Sequence, residues 1–369
     1  MYLKKLTLFN FKNYEEASLE FSAKLNCFTG SNGAGKTNLL DAIHYLSFTK
    51  SYFNLADQQN IRHTADFFSI HGQFVRNGSG TDDVSCIQKR ALKKQFRINT
   101  KEYDRLADHI GEFPLVMVSP YDRDLINEGS EIRRKYIDSV ISQFDRSYLD
   151  DLMVYNKALA QRNALLKQFS EKRYFDAASL EIWDEQMKAP AARIFNRRKD
   201  FIENFLPVFN QYFSFISDGR ETVSIGYQSD LHLTPMDALL TANLQRDREL
   251  RYTNAGIHKD DLELLIDGYP VKKFGSQGQQ KSFVVAIKLA QFDYTRSIKN
   301  YKPVLLLDDI FDKLDNQRVD RIINLVGDNS FGQVFITDTQ PERINHIFER
   351  AISDHRIFHV EAGNVKVLT

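Results

Sequence analysis

The chain has 369 residues, 42% of them hydrophobic and 27% charged, and its 49 basic and 49 acidic side chains cancel to a formal net charge of zero. This is the composition of an ordinary globular protein, long enough for two or three domains and for a sizeable core. Two cysteines, Cys27 and Cys86, exclude a disulfide framework, and no apolar run reaches the ~18 residues that span a bilayer. A cytoplasmic protein is expected, in which any nucleic-acid binding depends on a local basic face.

Tyr2 to Phe9 and Ala17 to Phe21 alternate as strands, joined by Phe11-Lys12-Asn13-Tyr14, and Leu25 to Phe28 is a mostly apolar strand. Gly30-Ser31-Asn32-Gly33-Ala34-Gly35-Lys36-Thr37 then reads G-x-x-x-x-G-K-[ST], a phosphate-binding P-loop. Its glycines allow backbone N–H groups to point at phosphate oxygens. Lys36 reaches the β- and γ-phosphates, and the Thr37 hydroxyl ligates Mg²⁺. Apolar residues 39, 42, 43 and 46 recur at helical spacing, so the loop opens a helix whose N-terminus favours an anion.

Residues 47–63 read as a loop. Phe67 to Phe74, Val84 to Lys89 and Lys94 to Asn99 read as antiparallel strands with a turn at Asn77-Gly78-Ser79-Gly80. This segment is locally basic at Lys89, Arg90, Lys93, Lys94, Arg97, Lys101 and Arg105. It is either a solvated strand edge guarded by lysines or a DNA backbone contact. Phe113 to Val118 is a buried strand leading to Ser119-Pro120. One long helical region is expected from Ser130 to Gln168 and another from Asp176 to Phe205, an antiparallel hairpin with its tip near Glu171 to Arg173. Val208 to Tyr227 reads as irregular with a strand, and Pro235 to Leu250 as a helix.

Asp261 to Asp267 reads as a strand and Gly275 to Gln280 as a polar loop, followed by an amphipathic helix from Lys281 to Tyr294. Val304 to Leu307 followed by Asp308-Asp309 matches a Walker B strand, which places its acids at the carboxyl edge of a parallel sheet. Asp308 then holds Mg²⁺ and Asp309 polarises the attacking water. Asn316 to Val326 and Pro341 to Phe348 read as helices, Gly332 to Thr337 as a strand, and residues 357–368 as a hairpin. The fold class is α/β: an ATPase head with mixed sheets and an inserted helical arm. The head spans 1–125 and 253–369, and the arm spans 126–252.

The motif order is P-loop, Ser276-Gln277-Gly278-Gln279-Gln280, Walker B, then Asp312-Lys313-Leu314-Asp315. In that order the chain resembles the ABC-type ATPases of the DNA-repair branch, near the structural-maintenance-of-chromosomes (SMC) proteins, and within them the RecF family. Arg133-Arg134-Lys135-Tyr136-Ile137-Asp138 and His258-Lys259-Asp260-Asp261-Leu262 carry the resemblance further, because transporter ATPases lack them. The resemblance implies an ATP-dependent homodimer. Ser276, Gly278 and Gln279 of one copy complete the P-loop site of the other, with Asp315 at the seam. It also implies binding to duplex DNA beside single-strand gaps, RecO and RecR as partner mediators that help load recombinase, support of replication and the SOS response, and a weak, DNA-stimulated ATPase.

Two departures stand out. Ser119-Pro120 replaces a Q-loop glutamine, and Thr337-Asp338 stands where a switch histidine often follows the last core strand; both imply slow turnover. Tyr52-Phe53 also stands where the family often carries an arginine. His258 is read as a catalytic or a hydrogen-bonded structural residue, and Arg133 and Arg134 as salt bridges or as groups near DNA. Two rival functions are a transporter ATPase subunit, which would not carry so long an arm, and a small-molecule P-loop kinase, which leaves 276–281 and 312–315 unexplained.

Overall fold

A computed structural model describes residues 1–53, 56–76, 80–312, 314–327, 330–339 and 354–368. In chain order it opens with β1 (Tyr2–Phe11), β2 (Tyr14–Glu20), β3 (Leu25–Thr29) and α1 (Lys36–Phe48). Then come β4 (Phe67–Arg76), β5 (Gly80–Lys89), β6 (Gln95–Ile98), β7 (Lys101–Glu102) and β8 (Leu115–Val118). A helical stretch follows: α2 (Asp124–Asn127), α3 (Ser130–Ser142), α4 (Arg146–Lys172) and α5 (Ala177–Ser217). Next are β9 (Val223–Gln228), α6 (Met236–Leu250), β10 (Asp261–Ile266), β11 (Tyr269–Pro270), α7 (Val271–Phe274) and α8 (Gln277–Lys299). The last elements are β12 (Val304–Asp308), α9 (Asn316–Gly327), β13 (Val334–Asp338), β14 (His355–Glu361) and β15 (Asn364–Val367). The helix expected over 341–348 lies outside the described residues.

Contacts divide the chain into two units, one of residues 1–122, 215–218 and 277–369, the other of 123–214 and 219–276. Residues 253–276, grouped with the second half of the head from sequence, fall in the second unit.

The first unit holds two six-stranded sheets. One is antiparallel in the order β2-β1-β4-β5-β6-β7. The other runs β15-β14-β3-β13-β12-β8, parallel from β14 to β8 with β15 antiparallel at its edge. Helix α1 touches strands of both sheets, so it is buried on every side rather than along one stripe: Leu39, Leu40, Ile43, Tyr45 and Leu46 are buried, and so are Asp41 and His44. A helix enclosed all round has no solvent face to keep polar. The rings of Phe21, Phe28, Phe335 and Phe358 pack together across β3, β13 and β14. The expected amphipathic helix after the signature loop is likewise buried from Gln280 to Phe292, and it begins at Gln277, inside the stretch read as a loop.

The second unit carries the antiparallel hairpin of α4 and α5. Its register is set by ion pairs of Asp145 with Arg197, Asp151 with Arg193 and Asp184 with Arg162. The single helix expected over 130–168 is two helices. Asp145 caps α4 by accepting the Tyr148 N–H at 3.0 Å, which halts the chain between them. Helix α5 continues past Pro207 to Ser217, through the stretch read as irregular. Phe205, Phe209, Phe213 and Ile216 keep helical spacing and are all buried, and their packing outweighs the proline penalty.

The two family-specific motifs meet in this unit. Arg133 pairs with Asp261 at 2.6 Å and Arg134 donates to the Asp260 carbonyl at 2.5 Å. Buried Arg198 joins Asp138 at 2.9 Å to Asp260 at 2.7 Å. The two motifs are thus tied by the Arg133–Asp261 pair, by the Arg134 bond to the Asp260 backbone and by Arg198 bridging Asp138 and Asp260.

Candidate nucleotide-binding site

β3 delivers the chain to the P-loop at the carboxyl edge of the parallel sheet. Gly30, Gly33 and Gly35 take φ of +140°, +79° and +115°, a region that favours glycine. A Cβ on Gly30 would lie 2.2 Å from the Val360 carbonyl oxygen, and one on Gly35 only 2.5 Å from Asn13 Nδ2. These close approaches come from two braces. Asn13 Nδ2 donates to Ala34 O (3.1 Å), the Tyr14 hydroxyl to Gly35 O (3.0 Å) and the Gly363 N–H to Ala34 O (3.3 Å). The Phe11-Lys12-Asn13-Tyr14 motif therefore holds the loop from the β1–β2 turn. Ser31, Asn32 and Gly33 remain exposed, while Ala34, Gly35 and Lys36 are buried. Lys36 Nζ curls into the loop and donates to Gly30 O (2.7 Å) and Ser31 O (3.0 Å).

The parallel register pairs Asp308 with Thr337 and Asp338 with Thr29, so a single strand, β13, separates the Walker B strand from the strand that carries the P-loop. The Thr37 hydroxyl donates to Asp308 Oδ1 (3.0 Å) and Oδ2 (3.1 Å). Thr337 donates to Asp308 Oδ1 at 2.8 Å. Burial pushes the Asp308 carboxyl up to about 6, with the two hydroxyls opposing and Asp309 reinforcing the rise. Burial also raises Asp309, against the pull of Lys36. Asp309 takes φ +44° and its N–H donates to Thr337 Oγ1 at 3.0 Å. A hydroxyl and a carboxylate side by side are hard oxygen donors that suit Mg²⁺. Among the described residues, no group of three or more His, Cys, Asp or Glu could hold a metal ion by itself.

The structure thus gathers Lys36, Thr37, Asp308 and Asp309. Ser276 is exposed just before α8, and Gly278 and Gln279 are half-buried in its first turn. The Asp315 carboxylate caps α9 by accepting the Arg318 N–H at 2.9 Å. The Arg318 guanidinium pairs with Asp315 and donates to Ser282 Oγ (2.8 Å) on α8. Among the basic candidates, Lys89, Arg90 and Lys93 are exposed, and Arg97 pairs with Glu102 at 3.2 Å. Lys94 is held inside the fold by Asp57 (2.7 Å), the Thr49 carbonyl and the Tyr45 hydroxyl. His258 is half-buried, bonded to the Tyr155 hydroxyl (2.7 Å) and the Thr253 carbonyl (2.9 Å), and desolvation of its ring lowers it to about 4. Both ring nitrogens are engaged, which is the structural reading.

Sequence reasoning missed what occupies the place after Ser119-Pro120. Asp122 caps that turn by accepting the Ser119 N–H at 2.7 Å. It also takes the Tyr52 hydroxyl and a buried ion pair from Lys288 of α8 at 2.8 Å. The aromatic residue at 52, noted only as a departure, is part of this network. Asp41, in the P-loop helix, likewise binds Lys12 (2.6 Å), Ser51 (2.8 Å) and the Tyr52 N–H (2.7 Å).

A P-loop and a Walker B acid on a parallel sheet, an antiparallel sheet across α1, and a helical insertion define an ABC-type ATPase head of the SMC-like class. The family model described as the RecF/RecN/SMC N terminal domain matches residues 2–365. The chain is 49% identical over 360 residues to the DNA replication and repair protein RecF of Flavobacterium johnsoniae, covering 98% of this chain and 100% of that protein. It is 48% identical to the Bacteroides fragilis protein of the same name, with 99% and 98% covered. The solved structure of the recombination mediator protein RecF with ATP superposes with a TM-score of 0.89 at 30% identity, covering 100% of this chain and 98% of that one. An SMC head bound to the winged-helix domain of ScpA shares the fold, with a TM-score of 0.60 at 16% identity over 100% and 97% of the two chains. The chain belongs to the RecF family.

Proposed function

We propose that this protein is an ATP-gated DNA clamp for recombinational repair and replication. The observation that carries the reading is the P-loop site itself, with Lys36, Thr37 and Asp308 assembled at one sheet edge. The backbone of residues 30–37 and the α1 N-terminus receive the phosphates of ATP. Thr37 and Asp308 hold Mg²⁺, which neutralises phosphate charge. Asp309 orients the attacking water.

Ser276, Gly278 and Gln279 serve the site of a second copy, with Asp315 at the seam. ATP then closes the dimer, and slow, DNA-stimulated hydrolysis releases it. Exposure of Ser276, and the tie from Arg318 to both Asp315 and Ser282 that joins the start of α9 to α8, support this. Relatives described as DNA replication and repair proteins, and a solved relative described within the RecFOR pathway, support DNA as the ligand and the RecO and RecR mediators as partners; duplex beside single-strand gaps is the DNA this reading proposes. Of the DNA-facing candidates, Lys89, Arg90, Lys93 and Arg97 are exposed, Arg97 paired with Glu102, and Lys94 is held inside the fold.

Sizing chromatography with and without ATP tests the reading. The wild type pairs with ATP, Asp309→Asn stays paired, and Ser276→Arg binds ATP as a monomer. Normal pairing by Ser276→Arg, or a monomeric Asp309→Asn with ATP, overturns the composite site.

A further inference from the structure

We infer that Thr337 is the positioning residue that holds both Walker B acids in working geometry, Asp308 through its carboxylate and Asp309 through its backbone. This inference rests on the ATP-binding reading above. Thr337 is completely buried near the end of β13, the strand between β3 and β12. The parallel register sets it directly beside Asp308.

The hydrogen-bond roles are fixed by chemistry. An ionised carboxylate only accepts, so the single hydroxyl proton of Thr337 goes to Asp308 Oδ1, 2.8 Å away. A backbone N–H only donates, so the Thr337 oxygen accepts from Asp309 at 3.0 Å. Only serine offers the same donor and acceptor on one atom at comparable size. The β-branch of threonine adds a restricted χ1, which keeps that atom aimed.

Asp309 shows why such a holder is needed. Its φ of +44° is a left-handed conformation that a residue with a Cβ adopts at a cost. Strain of this kind persists where neighbouring bonds over-determine it. Here the Thr337 oxygen fixes the Asp309 N–H, and the Asp309 carbonyl receives Lys281 Nζ and the Asp312 N–H, each at 3.4 Å. The bond to Thr337 is the shortest of the three. Without the hydroxyl, the Asp308 carboxylate keeps, among the described residues, the Thr37 hydrogen bond that it shares with the proposed cation site, and Asp309 loses the shortest of its three backbone ties.

The test compares Thr337→Ser, Thr337→Val and Thr337→Ala in the full chain. Binding of a fluorescent non-hydrolysable ATP analogue is titrated with Mg²⁺, and single-turnover ATP hydrolysis is measured beside it. Analogue binding in EDTA should be unchanged in all three. The Mg²⁺ midpoint should rise about 10- to 100-fold in the Val and Ala variants, the usual effect of losing a partner behind a metal ligand, with a comparable fall in hydrolysis. Thr337→Ser should stay near wild type, which a purely packing role would not produce. Val or Ala variants with the wild-type midpoint and rate overturn the inference, as does a Ser variant as impaired as Val. Melting curves separate misfolding from mispositioning, and Ala adds no bulk should Val fail to fold. Failure of the wild type to bind the analogue at all would instead overturn the ATP-binding reading.

Discussion

Thr37 and Asp308 are 271 residues apart in sequence, yet one hydroxyl hydrogen joins them, with Thr37 Oγ1 3.0 Å from one carboxylate oxygen and 3.1 Å from the other. The first lies on the first turn of α1 and the second on the last residue of β12. The two sides of the proposed cation site are therefore held in register by a direct hydrogen bond between the P-loop helix and the Walker B strand.

Removing the P-loop lysine should separate binding from folding. In Lys36→Ala two loop carbonyls lose a donor, a loss of about 1 kcal/mol each by the usual worth of such bonds. The melting temperature should therefore fall only slightly, while ATP binding by calorimetry drops below detection. Retained binding would contradict the role given to Lys36.

Asp308 should make the nucleotide-free protein less stable as pH rises. Its folded-state value of about 6 lies above the ordinary 3.8, so its contribution is fully present below pH 3.8 and is lost as pH climbs through 6. Asp308→Asn keeps an acceptor for Thr37 and Thr337 without the buried charge. It should be more stable than wild type above pH 6, by at most about 3 kcal/mol, and lose that advantage below pH 4. Urea unfolding at a series of pH values checks this. The same variant should lose Mg²⁺-dependent hydrolysis.

His258 should act in the opposite sense. Burial lowers it from 6.5 to about 4, so its contribution is present above pH 6.5 and is lost as pH falls toward 4. The carbonyl of Thr253 accepts only, so Nε2 carries the proton and Nδ1 accepts from Tyr155. His258→Gln keeps one donor and one acceptor. Wild type should lose up to about 3 kcal/mol relative to this variant between pH 6.5 and 4. ¹⁵N spectra should show the ring neutral at pH 6; a charged ring there would contradict the assignment.

Arg198 should be among the costliest residues to truncate in the second unit. It is buried and its guanidinium joins half-buried Asp138 to buried Asp260, so Arg198→Ala strands the Asp260 carboxylate without its cation. A loss of about 3–5 kcal/mol in urea unfolding is expected. A change within 1 kcal/mol, on the order of a surface substitution, would mean the network contributes little.

The local features of this protein were legible in its sequence. The P-loop spacing, the four apolar residues before Asp308 and the strand-forming alternation of 2–9 each depend on near neighbours, and each stands where the pattern put it. The break at Asp145 and the continuation of α5 through Pro207 were missed, because a cap competes with periodicity in the first case and core packing outweighs a proline in the second. Tertiary structure alone decided what holds the site. Thr337 meets Asp308 because β13 lies between β3 and β12, Asn13 and Tyr14 meet the P-loop because a turn folds over it, and Lys288 meets Asp122 because α8 packs on β8. Strand order and register bring such residues within hydrogen-bond reach, and neither is encoded in the spacing of neighbours along the chain.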